Sequence, residues 1–139
     1  MDPSNSRRWL GTVLLVGAVY CLAGLAFGAL AARAGSLQVR VMWRLAAWLV
    51  SAGAFGAHIW HEHRRLQSSP QITAFHASLA VALGAFGLAV GASIHALTAS
   101  SPQHFPVLML LVWPLMTAVP AFVVALAATA GLVWLRRSA

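Results

Sequence analysis

The chain has 139 residues, 60% of them hydrophobic and 8% charged, with a mean hydropathy of +0.81. Soluble domains carry about 25% charged residues, so this composition excludes one water-soluble core and points to lipid as the solvent. A net charge of +7 comes from nine arginines, with no lysine, against Asp2 and Glu62. The arginines stand singly or in pairs beside apolar runs, not on a basic face with interleaved aromatics. That argues against nucleic acid as a partner and reads as a set of topology signals.

A short polar stretch, ending in Ser6-Arg7-Arg8, precedes an apolar run from Trp9 to Ala32. About 20 residues span the hydrocarbon, so residues 9–32 are expected to form a transmembrane helix. Arg7-Arg8 and the later Ala29-Leu30-Ala31 also fit a cleaved twin-arginine signal. The apolar stretch is longer than the 7–15 residues usual in a signal, which favours a retained helix. Cys21, the single cysteine, lies mid-segment, where it supplies a small packing group. One cysteine forms no intrachain disulfide, CxxC pair or thiolate zinc site.

Three further helices are expected over residues 41–65, 72–98 and 107–135. Their connections are Arg33–Arg40, a turn at Ser68-Ser69-Pro70, and the Ser100–Pro106 segment with Pro102 and Pro106. The expected fold class is therefore all-α: a single domain over residues 1–139, an integral bundle of four transmembrane helices. With the termini and the 61–71 loop on one side, that side holds Arg7, Arg8, Arg64, Arg65, Arg136 and Arg137. The other holds Arg33, Arg40 and Arg44. The bias predicts cytoplasmic termini and a multi-pass protein of the cell inner membrane.

Gly24-Leu-Ala-Phe-Gly28 and Gly87-Leu-Ala-Val-Gly91 are GxxxG patterns, and Gly84 extends the second by a turn. Such spacing lets helix backbones approach closely. Pro114 and Pro120 remove two backbone donors from the fourth helix and should kink it.

The second helix carries the most specific pattern. At about 100° per residue, Arg40, Arg44, Ser51, His58, Glu62 and Arg65 share one narrow stripe. A polar stripe on a membrane helix should face protein or water. Arg44 and Arg64 are 20 residues apart, about 30 Å of helix and one hydrocarbon thickness, so both can anchor at opposite interfaces. His61, Glu62, His63 and Arg65 then read as a solvated helix end. His58 lies deeper. His76 is equally far from a turn near residue 67, so two antiparallel helices would hold both imidazoles at similar depth. Facing histidines can ligate haem b or a metal, hydrogen-bond across helices or pass protons. His95 and His104 lie near the far loop, with no chemistry implied.

No HExxH, CxxCH, phosphate loop or nucleophile–base sequence is present. No carboxylate interrupts an apolar run, which argues against an ion-coupled carrier. The leading expectation is a non-enzymatic helix-packing subunit or homo-oligomer, with the lipid bilayer and either further copies or a larger membrane complex as partners. The alternatives are a haem- or quinone-linked redox module using His58 and His76, and a small transporter or channel using the polar stripe. Ser51 and Arg44 complete the ligand candidates.

Overall fold

A computed structural model describes residues 3–66, 69–98 and 108–138, with side chains described for residues 9–64, 69–97 and 108–135. Four helices follow in order: α1 over Pro3–Ala32, α2 over Leu37–His61, α3 over Pro70–Thr98 and α4 over Met109–Ser138. A π turn, Glu62–Leu66, continues α2. The fold is all-α, with no strand among the described residues. The 99–107 connection, including His104, lies outside the described residues, as do the side chains of Arg65, Arg136 and Arg137.

Three helices carry spans long and apolar enough to cross a membrane: Trp9–Ala32, Pro70–Leu97 and Met109–Leu135. The 25-residue α2 is also long enough, but Arg40, Arg44, His58 and His61 dilute its apolar character. Little of the apolar surface is hidden within the chain. Only 6% of the α4 window and 17% of the α1 window are buried. Large apolar side chains, leucines among them, lie exposed on every helix, as expected where lipid is the solvent.

Local chemistry accounts for the helix ends. Ser36 is extended, and its hydroxyl accepts a hydrogen bond from Val39 N–H, which caps α2. Ser69 does the same for Ile72 N–H ahead of α3, where Pro70 suits the first helical position.

The packing order departs from a simple up-and-down bundle. α3 packs extensively on α4 and on α1, and α1 packs on α2, whereas α2 meets α3 over only a short stretch. The α2–α3 hairpin, despite its short turn, is therefore not a packed pair along its length. Glycine explains why. A Cβ placed on Gly84 would sit 2.5 Å from the Tyr20 Cβ and 3.1 Å from the Gly17 carbonyl oxygen. Only glycine permits so close an approach of α1 to α3. Gly87 lies against Cys21, Gly91 against Leu25, and Gly24 against Leu88. The glycine seam thus lies inside the chain. Gly28 is not part of it, having nothing within 4 Å of an added Cβ.

The four helices converge at one end and part at the other. One apolar cluster gathers Ile59 and Phe55 of α2, Ala74 and Ala77 of α3, and Phe122 and Ala125 of α4. Beyond Phe55, towards the start of α2, the bundle splits along a groove between α2 and α4.

Candidate functional site

The closed end holds a polar centre. Glu62 is 0% exposed, and its Oε1 lies 3.1 Å from His76 Nδ1, whose N–H donates to the carboxylate. Trp9 of α1 stacks flat on the His76 ring, with centroids 4.5 Å apart and planes 1° from parallel. Three helices thus meet through three side chains.

This overturns the expectation of a solvated end for Glu62. The count of residues between Arg44 and Arg64 measures depth along the axis and takes no account of neighbours. The first turn of described side chains in α1 and the second turn of α3 come across Glu62 and cover it. His61 does remain exposed, and Arg64 lies over the exposed Trp60 ring at 4.2 Å, a cation–π contact suited to an interfacial anchor. His63 is half-buried, with no partner for Nε2 among the described residues. The centre sits at the start of the π turn, where Glu62 N–H is directed at both the His58 and Ile59 carbonyls. π turns occur frequently at functional sites.

His58 is 2% exposed and His76 is 8% exposed. The hydrogen bond of His76 goes to Glu62, one turn along α2 from His58, and not to His58 itself. Neither ring nitrogen of His58 has a hydrogen-bond partner among the described residues; nor do Glu62 Oε2, Thr73 Oγ1 and Trp9 Nε1. Buried polar atoms are normally satisfied by protein or ordered water. A carboxylate, two imidazoles, a hydroxyl and an indole N–H that are all buried at this end can hold a proton or water. As a metal centre the region is poor: no group of three or more His, Cys, Asp or Glu side chains suited to a metal occurs among the described residues. A haem macrocycle would need a slot against both imidazoles. At 2% and 8% exposure, with Trp9 on one ring face, both are closed in by protein.

At the open end, two adjoining cavities lie along α2. One, of ≈ 540 Å³, runs between α2 and α4 and is walled by apolar groups such as Ala52, Phe55, Leu88 and Met116, with Ser51 and Thr117 its polar hydroxyls alongside Tyr20. The Thr117 hydroxyl donates to carbonyls of its own helix, at Trp113 and Pro114. The second, of ≈ 480 Å³, lies between α1 and α2 and is lined by Phe27, Gly28, Ala31, Arg40 and Arg44. Gly24, Ala47 and Trp48 line both. Five of the six positions of the polar stripe, all but Arg65, are therefore accounted for. Arg40, Arg44 and Ser51 face the cavities, while His58 and Glu62 are buried at the closed end.

Trp9 and Thr73 were not evident as members of the centre. Trp9 opens the first apolar run of the sequence, and its stacking partner comes from another helix. Thr73 had a usable signal, since it shares a face of α3 with His76 at a spacing of three. Compared with known protein families, curated proteins and solved structures, the chain matches none of them.

Proposed function

We propose that this is a small, non-enzymatic, multi-pass protein of the inner membrane, with both termini cytoplasmic, that acts through contacts made inside the bilayer. Its working surface is the lateral groove between α2 and α4, and the occupant is an apolar chain drawn from the lipid phase. The groove carries this reading. Its volume of ≈ 540 Å³ is in the range of small-molecule sites, about 300–1,000 Å³. Its walls are apolar, and Trp48 and Met116 at its edges are largely exposed. The glycine seam, which would otherwise supply an oligomer interface, is taken up between α1 and α3. Arginine asymmetry supports the orientation.

The groove supports a binding surface better than a transport path. From Phe55 onward α2 joins the apolar cluster with Ile59, so the hydroxyls of Ser51 and Thr117 are not continued by a polar route to His58 and Glu62. The enclosed imidazoles weigh against the haem reading, for which a Soret band in purified protein would be the opposing result.

A photoreactive residue at Ala52, inside the groove, tests the proposal in intact membranes, with one at the lipid-facing Leu49 as control. Lipid adducts enriched at Ala52 over Leu49 are expected. Adducts to a second protein chain at Ala52, or no enrichment of lipid, would overturn it in favour of a helix-packing subunit.

A further inference from the structure

We infer that the groove and the cavity beside it form one site for an anionic lipid, with a phosphate between Arg40 and Arg44 and an acyl chain along α2 towards Phe55. The inference rests on the reading of the groove as lipid-occupied and adds the chemistry of the head group.

Four observations converge on it. The two cavities are continuous, since Gly24, Ala47 and Trp48 line both, so a polar head and an apolar tail can belong to one molecule. Arg40 and Arg44 lie one turn apart on α2 and line the upper cavity together. Among the described residues no carboxylate is near enough to neutralise them. Glu62, the only acidic side chain among the described residues, lies about 27 Å along α2 from Arg44 and is bonded to His76. The space beside the arginines is open because Gly28 has no side chain and nothing lies within 4 Å of where its Cβ would be.

The length also fits. Arg44 to Phe55 is eleven residues, about 16 Å of helix, close to half of the about 30 Å hydrocarbon core. A lipid with its phosphate at the arginines would therefore place its chain over one leaflet and end it at the Phe55 floor. Trp48 stands where the cavities join, 77% exposed, as an indole suited to the boundary between head groups and tails. Two guanidiniums with no internal anion favour a head group of net negative charge. A zwitterionic head would bring its own cation against them.

The test uses the full chain in nanodiscs of equimolar phosphatidylglycerol and phosphatidylcholine, with retained lipid counted by native mass spectrometry. The expected result is one phosphatidylglycerol held per chain in preference to phosphatidylcholine, by up to about 30-fold, each arginine contributing about fivefold. Arg40→Gln with Arg44→Gln should bring the preference to parity, while Arg40→Lys with Arg44→Lys should keep most of it. Both arginines are exposed, and removing positive charge from their side strengthens the cytoplasmic bias, so the Gln variant should insert normally. Ala52→Trp, which fills the groove at an exposed position, should release lipid of either kind. Wild type without preference, or preference persisting in the Gln variant, would overturn the inference. Preference persisting in Ala52→Trp would also overturn it, reducing the site to surface adsorption. Equal retention of both lipids that Ala52→Trp abolishes would sink the anionic site and leave the groove reading standing. With no lipid retained, both fall.

Discussion

The two ends of this bundle use the same helix, α2, in opposite ways. At the closed end, α2 turns Glu62 inward, where His76 bonds it and Trp9 covers the pair. At the open end, the same stripe presents Arg40, Arg44 and Ser51 to cavities instead of to partner side chains. One end pairs its charge within the chain; the other leaves two charges to be met from outside. The difference teaches that a polar stripe on a membrane helix has no single meaning. Burial of a charge in a bundle demands a partner, and where no acidic side chain is within reach the partner must be solvent or a ligand.

The strongest challenge to this contrast is His76→Ala, which strands the Glu62 carboxylate. Removing one member of a buried pair typically costs about 3–5 kcal/mol. Denaturant titration in detergent should show a loss of that order, with the apolar double replacement Glu62→Leu and His76→Phe recovering much of it. Near-wild-type stability of His76→Ala would mean that the closed end is wet after all.

Gly84→Ala should come next, at about 1–3 kcal/mol, because the new Cβ meets the Tyr20 Cβ at 2.5 Å and backbone at 3.1 Å. Gly28→Ala, with open space around it, should be neutral or stabilising through helix propensity. If thermal unfolding ranked the two variants alike, the seam between α1 and α3 would not be where the structure places it.

His58→Leu should raise stability by about 1–2 kcal/mol. It replaces a 2%-exposed ring, both nitrogens of which lack partners among the described residues, with an apolar group. A stability gain would mark His58 as a residue kept for chemistry, not for folding. A loss would show that its nitrogens are satisfied in the membrane.

Trp9→Leu should cost about 1 kcal/mol through the lost stack on His76, read as the same unfolding midpoint shift. The smallest effect belongs to the open end. Arg40→Gln with Arg44→Gln should change stability in lipid-free detergent by under about 0.5 kcal/mol, as for exposed residues without internal partners. A large loss there would erase the distinction between the two ends.

Much of the closed end was legible in part. The stripe through His58 and Glu62, and the inward turn of His76, follow from a 100° repeat and from counting back from a turn. Which residue of α2 would meet His76 did not follow. A shift of one helical turn exchanges His58 for Glu62, and the π turn at Glu62–Leu66 leaves no clear trace in local composition. The open end was less legible. Arg44 was readable as an anchor, but half of the groove comes from α4, whose Met116, Thr117 and Pro120 share no sequence pattern with α2.

By itself, the sequence determined the solvent, the number of helices and their approximate limits. Those depend on the run lengths of apolar residues against the thickness of a bilayer, a one-dimensional comparison. It also determined that α2 would have a polar side, because helical periodicity is local. Tertiary structure alone decided which helices became neighbours. The glycines let α1 and α3 approach until Gly17 and Gly84 nearly touch, and that contact sets α2 aside from most of α3. From this one lateral choice follow both the enclosure of Glu62 and the open groove below Arg40 and Arg44.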